Sequence, residues 1–275
     1  MPPTGEIADA SGTPLLFDAD LHPLPLRTGD LDDLRFFGVA GALAPMDDAL
    51  PSATREAVRR GWDVLVPSAV RRLRRAGIAG FAAIGIHPRR IPWRGLEALL
   101  AELPDFLGRR RVQALGAVGL EEGGPREEAV FARQLELASQ LRLPVVVHTP
   151  WREKERLTRR ALAMLREHEL DPGRVMIGRA DARTVRMIRA CGYVAGFSLF
   201  AGAGDVIDGA VKLVRSLGPE GLVLGSGAGD GASDLLALPR AAGRMAKAGL
   251  SRAVIWRVCR ANALHFLGLP RDGLV

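Results

Sequence analysis

Eight short apolar segments recur along the 275 residues, each ending in polar or glycine-rich residues, and helical patterns lie between them. Strands that alternate with helices predict βα units and a parallel sheet. Eight such units in a chain of this length predict an α/β fold, a single (β/α)8 TIM barrel. The predicted strands are PLLFDADLH near Leu15, GVAGALAP from Gly38, FAAIGIHP from Phe81, VQALGAVGLE from Val112, LPVVVHTP from Leu143, RVMIGRA from Arg174, YVAGFSLF from Tyr193 and GLVLGSGAG from Gly221.

The intervening segments carry helix signals of their own. EEAVFARQLELASQLR from Glu127 places its apolar residues near one helix face, and a further helix is expected over Lys154–His168. Ser233, followed by an acid, predicts the N-cap of a helix that ends near Gly249, and Ser251 predicts the N-cap of the last helix. These helices complete the predicted ring.

The composition agrees with one soluble globular unit. Hydrophobic residues make up 48% and charged residues 25% of the chain, and no apolar run approaches the roughly 18 residues that span a bilayer. We expect one domain over residues 1–275, because no low-complexity linker divides it, with residues 1–13 a flexible extension. The start MPPTGEIADASG has neither a basic region nor an apolar core, so we expect no secretory signal, a cytoplasmic location and no membrane partner.

The net charge of +7 is compatible with a polyanionic partner. Lysine occurs three times, so arginine supplies the other 35 of the 38 basic residues, which is typical of a genome-wide codon bias. The densest clusters, RRLRR over Arg71–Arg75 and GRRR over Gly108–Arg111, lie near the ends of predicted helices, where positive charge favours the helix dipole. Contact with nucleic acid or phosphate remains the alternative interpretation.

In a barrel of this kind the chemistry lies at the C-terminal ends of the strands. Asp20 and His22 are two positions apart, so in an extended strand they face the same way, and both side chains bind divalent cations. A loop carboxylate beside a hydrogen-bonded histidine is the alternative. The other strand-end residues are His87, Ala117 through Glu121, His148, Arg179, Ser198, and Ser226 through Gly229.

Several long motifs, in order along nearly the whole chain, resemble the TatD-related metal-dependent hydrolases of the amidohydrolase superfamily. The similarity is greatest to the branch with GIHPRxIP and HTPxxxK motifs. The segments that carry it are VAGALAP, AAIGIHPRRIP (82–92), ALGAVGLE (114–121), VFARQLELA (130–138), LPVVVHTPWREK (143–154), DARTVRMIRACGYVAGFS (181–198), SDLLALPRAA (233–242) and NALHFLG (262–268).

The resemblance implies one or two divalent metals held by an HxH pair after strand 1, a glutamate after strand 4, histidines after strands 5 and 6, and an aspartate after strand 8. Only two of these six ligands are unchanged here. Alanine, arginine and glycine at three of the substituted positions offer no donor atom. The alternative is that the side chain of Glu121 or Glu122 extends back to the site and supplies a metal ligand. The six positions in this chain are Asp20, His22, Ala117, His148, Arg179 and Gly227.

The permanently charged guanidinium of Arg179 would repel a cation in such a pocket and occupy its place. Its parity with Ile177 predicts that the side chain points into the barrel mouth, where Asp20 would be its counter-charge. The alternative is an outward side chain in solvent. His87 belongs to the family scaffold and is expected to line the pocket, so we include it with Arg179 among the candidate binding residues.

The loop GSGAGDG, with Gly225, Gly227 and Gly229, follows strand 8 and precedes a predicted helix. Many barrels bind phosphate there through backbone N–H groups, so these glycines are candidate binding residues too. A loop that only turns the chain is the alternative.

Three hypotheses follow. The first is a catalytically degenerate family member with a binding or regulatory role, in which Asp20, His22 and His148 are vestigial metal ligands and no residue is assigned as catalytic. The second is a mononuclear metal-dependent hydrolase of phosphodiester or other ester bonds that uses those three residues. The third is a metal-free binder of an anionic ligand. We expect no cofactor or, failing that, one Zn, Mn or Mg ion; the expected partner is an anionic small molecule, a nucleic-acid end or a protein.

Overall fold

A computed structural model describes residues 15–46, 53–200, 206–231 and 233–270. Its eight strands form one parallel sheet in chain order, which confirms the predicted (β/α)8 TIM barrel. The flexible extension expected over residues 1–13 lies outside the described residues. The strands are β1 (Leu16–Asp18), β2 (Val39–Pro45), β3 (Ala79–Ile84), β4 (Val112–Gly119), β5 (Val145–His148), β6 (Val175–Ala180), β7 (Val194–Ser198) and β8 (Leu222–Gly225).

Helices follow the strands and surround the sheet. π-helical turns at Leu65–Val70 and Arg257–Ala261 join consecutive helices, and short 3₁₀ turns lie at Pro88–Arg90 and Pro172–Arg174. Among the described residues, no helix combines the length and the apolarity needed to cross a membrane. The helices are α1 (Thr28–Phe36), α2 (Arg55–Val64), α3 (Arg71–Arg75), α4 (Leu96–Leu107), α5 (Pro125–Leu141), α6 (Lys154–Glu167), α7 (Thr184–Ala190), α8 (Val206–Leu217), α9 (Ala237–Lys247), α10 (Arg252–Trp256) and α11 (Asn262–Leu267).

Backbone hydrogen bonds just beyond the strand ends close the ring between β1 and β8. The N–H of Ala19 donates to the Leu224 carbonyl at 3.4 Å, and the N–H of Gly227 donates to the Asp20 carbonyl at 2.8 Å. The N–H of His22 then donates to the Ala228 carbonyl at 2.8 Å. The segment after β1 is therefore tied to the glycine loop after β8.

Alternate residues of the strands fill two apolar layers. The interior layer includes Phe17, Phe81 and Met176, and Phe266 of α11 packs against it, so the barrel is a filled core. The outer layer lies between the strands and the helices and includes Ile177. The period of two in each strand thus separates inward from outward side chains.

Most predicted helix signals agree with the structure. Ser251 caps α10, accepting a hydrogen bond from the Val254 N–H at 3.3 Å, and Gly249 takes a left-handed conformation just after α9. On α5 the predicted face is buried at Val130, Phe131 and Leu135. Leu141, at the C-terminal end of that helix, is 44% exposed and does not belong to the face.

The prediction that Ser233 caps the next helix is wrong. Helix α9 begins at Ala237, with Leu236 at its N-cap. The Asp234 carboxylate instead accepts the Leu236 N–H at 3.0 Å and the Asp234 carbonyl accepts the Ala237 N–H, so this segment forms a turn before the helix. Aspartate competes for local backbone donors in this way.

The arginine clusters lie at helix ends, as the sequence predicts. RRLRR forms α3, which ends the continuous helical run that begins with α2, and GRRR follows α4. In the second cluster the Arg109 guanidinium stacks 3.8 Å from the centroid of the Phe106 ring and pairs with Asp63 at 3.1 Å. Part of this charge is therefore used within the fold; the alternative of nucleic-acid contact stays a prediction.

Candidate functional site

A cavity of about 40 Å³ lies at the C-terminal ends of the strands, with room for more than one water molecule. It brings together eight residues singled out in the sequence. Gly227 and Gly229, as far as the described residues go, lie outside its lining. These eight, among the residues that line the cavity, are Asp20, His22, His87, Ala117, His148, Arg179, Ser198 and Gly225.

Asp20 and His22 form a pair just after β1. The Asp20 Oδ1 lies 3.2 Å from the His22 Nε2, and His22 is buried. Burial raises the pKa of Asp20, but the hydrogen bond from His22 and the positive charge of Arg179 outweigh it, so the net pKa is lower than usual. Asp20 is therefore ionised at neutral pH.

The glycine loop after β8 clamps this pair through its backbone. A side chain at Gly225 would collide with the Asp20 Cβ, and one at Gly229 would collide with the His22 carbonyl oxygen. The Gly227 N–H, a candidate anion donor, donates to the Asp20 carbonyl. Close approach of two backbones thus explains the glycines here; anion binding by the loop stays a prediction.

Beneath the pair, Asp18 is fully buried at the end of β1. Its Oδ1 accepts the Asp20 N–H at 3.1 Å and the Ser226 N–H at 3.0 Å, so one carboxylate joins the ends of β1 and β8. Burial raises the pKa of Asp18 to about 6, against the lowering effect of its hydrogen bonds with Ser226.

On the opposite side, two buried histidines form a hydrogen-bonded chain. His87 Nδ1 accepts the Arg89 backbone N–H at 3.3 Å, so the proton of neutral His87 lies on Nε2 and is donated to His148 Nδ1 at 3.2 Å. His148 then carries its proton on Nε2 and donates it to Glu121 Oε2 at 2.7 Å. This network assigns both tautomers and engages the lone pair of each ring.

The protonation states agree with this chain. Burial lowers the pKa of His148 and holds that of His87 well below its ordinary value, and the positive charge of Arg179 adds to both shifts. Burial raises the pKa of Glu121, but hydrogen bonds from His148 and Arg89 outweigh it and hold the pKa at about 2. At neutral pH the histidines are uncharged and the glutamate is ionised.

Glu121 reaches His148 because its loop is fixed from below. The Glu127 carboxylate in the first turn of α5 accepts the backbone N–H groups of Glu121 at 2.8 Å and Gly123 at 2.9 Å. The side chain of Glu122 is exposed. The sequence offered Glu121 as a replacement metal ligand, and the structure places it as the hydrogen-bond acceptor of a histidine.

Arg179 lines the cavity, but the parity argument for its direction is wrong. Ile177 packs in the outer layer with the helices, so a regular strand would turn Arg179 outward too. The backbone of Arg179 is left-handed, with φ of +53°, and this break in the strand brings the side chain to the mouth of the barrel. Its ion-pair partner is Asp230 at 2.8 Å rather than the expected Asp20, because the glycine loop carries Asp230 to the same rim.

Neighbouring side chains support the unusual backbone of Arg179. Thr149 Oγ1 donates to the Gly178 carbonyl at 2.8 Å, and Lys154 Nζ donates to the Arg179 carbonyl at 2.8 Å. The Trp151 ring centroid lies 5.8 Å from the Arg179 guanidinium. Burial, with the charge of Arg179, lowers the pKa of Lys154 to about 8. Sequence reasoning missed Trp151 and Lys154 as site residues, although Lys154 lies in the HTPxxxK motif.

The residues present do not supply the ligand set of the two-metal centre that the resemblance implies. Ala117 and Gly227 have no donor side chain, and His148 has no free ring lone pair. Within the described ranges no three His, Cys, Asp or Glu side chains cluster closely enough to hold an ion. Asp20 and His22 alone fall short of the three protein ligands of a typical catalytic metal.

Comparisons with known proteins agree with the fold. An uncharacterized metal-dependent hydrolase from Methanocaldococcus jannaschii is 28% identical over 255 residues, covering 92% of this chain and 100% of the relative. A TatD-like protein from Archaeoglobus fulgidus superposes with a TM-score of 0.77 at 24% identity, covering 92% of this chain and 100% of that one. A TatD homologue from Escherichia coli gives 0.68 at 19% identity, covering 93% and 98%.

The sequence model of the family described as TatD related DNase matches residues 63–227, which is more than half of the chain. This match includes the β4, β5 and β6 strand ends that carry Glu121, His148 and Arg179. With the eight-stranded barrel and the ordered motifs, it establishes that the chain belongs to the TatD-related DNase family of metal-dependent hydrolase barrels.

Proposed function

We propose that this chain is a catalytically degenerate member of its family, one that binds a ligand in the ancestral pocket and does not hydrolyse it. The main support for this proposal is the position of Arg179 in the lining of the cavity. A guanidinium stays charged at any physiological pH and donates without accepting, so it disfavours a cation in the cavity that it shares with Asp20 and His22.

The hydrogen-bonded histidines support the same function. To bind a metal, His148 has to give up its hydrogen bond with either His87 or Glu121. The abandoned group, buried His87 or half-buried Glu121, then loses a hydrogen-bond partner. The family positions that bridge the metals and activate water are Ala117 and Gly227. Neither side chain can take a proton from water, so the two positions that the family uses for this step do not supply the base for hydrolysis.

Metal analysis of the purified protein tests this proposal. We expect less than one equivalent of Zn, Mn, Fe or Mg by elemental analysis, and a melting temperature that a chelator leaves unchanged. The positive control is the variant that combines Asp20→His, Ala117→Glu, Arg179→His and Gly227→Asp. Aspartate is tolerated better than most residues at the left-handed φ of +66° of Gly227. A stoichiometric metal that His22→Ala and His148→Ala both release would overturn the proposal.

Hydrolysis of a generic phosphodiester, bis(p-nitrophenyl) phosphate, gives a second test. We expect no turnover above that of His148→Ala with added Zn²⁺, Mn²⁺ or Mg²⁺. Turnover that survives repurification and is lost in His148→Ala would instead support the alternative, a mononuclear hydrolase that uses Asp20, His22 and His148.

A further inference from the structure

The ion pair between Arg179 and Asp230 stands at the mouth of the cavity. The Arg179 side chain is 17% exposed and that of Asp230 is 38% exposed, so the pair is shielded on one side and open to solvent on the other. Asp230 lies between Gly229 and Gly231, both in left-handed conformations with φ of +92° and +55°. A carboxylate on a glycine-rich tether is thus held against a fixed guanidinium.

We propose that Asp230 is a tethered occupant of an anion site on Arg179, and that the free ligand of this site is a small monocarboxylate with a compact apolar tail. This inference rests on the proposed function, because it requires a pocket without a metal. The ligand carboxylate exchanges with that of Asp230, and the glycines let the aspartate swing away.

The site on Arg179 is preorganised. Lys154 and Thr149 hold the carbonyls of Arg179 and Gly178, which fixes the backbone that aims the guanidinium. A guanidinium presents five N–H donors in a planar fork that matches a carboxylate, and Asp230 contacts it through one nitrogen at 2.8 Å. The geometry that accepts the tethered carboxylate accepts a free one.

The charges around the cavity favour a single negative charge. Asp20 lines the same cavity as Arg179, so a ligand bound on the guanidinium faces a carboxyl group. Among the described residues that line the cavity, Arg179 is the only lysine or arginine, and the Lys154 ammonium beside it donates to Thr149 and to the Arg179 carbonyl. A second negative charge on the ligand therefore faces Asp20 without a further cation in the lining. A monocarboxylate is therefore favoured over a phosphate dianion.

The walls of the cavity favour a short apolar tail. Below Arg179 the lining includes Ala117, Val146, Met176 and Phe197. The cavity of about 40 Å³ has room for a few water molecules, which matches an apolar tail of a few heavy atoms. Trp151, 52% exposed, stands beside Arg179 at the rim and reports on occupancy through its fluorescence.

Titration of the chelator-treated protein with isobutyrate, followed by tryptophan fluorescence and melting temperature, tests the inference. We expect isobutyrate to raise the melting temperature, and neither isobutyramide nor inorganic phosphate to match it. Asp230→Asn removes the competing charge and tightens isobutyrate binding about fivefold, the equivalent of one partly exposed ion pair. Arg179→Gln abolishes binding. Asp234→Asn, whose side chain pairs with Arg240 away from the cavity, is the matched control and leaves binding unchanged.

Tighter binding of phosphate than of isobutyrate, equal binding of isobutyramide, or weaker binding in Asp230→Asn would each overturn the inference. If Arg179→Gln does not fold, the ligand comparison and Asp230→Asn still decide. A stoichiometric metal in the untreated protein overturns this inference and the proposed function together. A metal-free protein whose fluorescence and melting temperature do not change with isobutyrate overturns this inference alone.

Discussion

The two sides of the cavity are stabilised in different ways. On the β1 and β8 side, Asp20 and His22 are held by backbone contacts with the glycine loop and by the buried Asp18. On the β3 to β5 side, His87, His148 and Glu121 hold one another through side-chain hydrogen bonds. The first side depends on close packing of main chain, and the second on a satisfied polar network. Substitutions on the two sides are therefore expected to lower the stability of the fold for different physical reasons.

The largest effect is expected at the backbone clamp. Gly229→Ala adds a Cβ that collides with the His22 carbonyl at a left-handed φ of +92°, and we expect a loss of about 4 kcal/mol from backbone strain and overpacking. Gly231→Ala is the matched control, since its φ is +55° but its Cβ meets nothing closer than 3.9 Å. It should cost about 1 kcal/mol. Equal losses in urea unfolding would show that the close approach contributes nothing.

Asp18→Ala should have the next largest effect. It leaves the N–H groups of Asp20 and Ser226 without their acceptor where β1 meets β8, at a cost of about 3 kcal/mol. Asp18→Asn retains the accepting oxygen and should lose less than half as much. Chemical denaturation at pH 7 measures both, and an Asp18→Asn loss as large as that of Asp18→Ala would contradict this reading of the hydrogen bonds.

The stability contributions of the two sides are also expected to depend on pH in opposite directions. The pKa of Asp18 is raised from 3.8 to about 6 in the fold, so its contribution to stability is complete below pH 3.8 and falls as the pH rises to 6. The pKa of Glu121 is lowered from 4.5 to about 2, so its contribution is complete above pH 4.5 and is lost as the pH falls toward 2. Urea unfolding across this range should show the first slope removed by Asp18→Asn and the second by Glu121→Gln. Slopes that survive both substitutions would assign the pH dependence to other groups.

The smallest effect is expected from Glu121→Gln at pH 7. A glutamine oxygen still accepts the His148 N–H, but the charge that pairs with Arg89 is gone, so the loss should be about 1 kcal/mol. Glu122→Gln, at an exposed neighbouring side chain, should change stability by less than about 0.5 kcal/mol. If the two variants are equally stable, the polar side of the pocket does not depend on the charge of Glu121.

The sequence by itself determined the barrel and the identities of the residues at the positions where the resemblance implies metal ligands. Strand and helix periods repeat within a few residues, so local patterns locate all eight strands. The identities of Ala117, Arg179 and Gly227 are also visible in the sequence itself. The absence of donor atoms in the side chains of Ala117 and Gly227 follows from the residue types alone. The wrong N-cap prediction at Ser233 shows the limit of such patterns. Ser233 and Asp234 are both residues that suit an N-cap, and the sequence does not show that the Asp234 carboxylate accepts the Leu236 N–H and forms a turn before the helix.

Only the tertiary structure decided how the remaining polar groups pair. His87 and His148 are 61 positions apart and Arg179 and Asp230 are 51 apart, so these contacts form only when the barrel closes. The left-handed backbone of Arg179 depends on the carbonyl bonds of Thr149 and Lys154, from outside its own strand. A period of two carries no information about such a break, because the break arises from hydrogen bonds between distant segments rather than from the preferences of neighbouring residues.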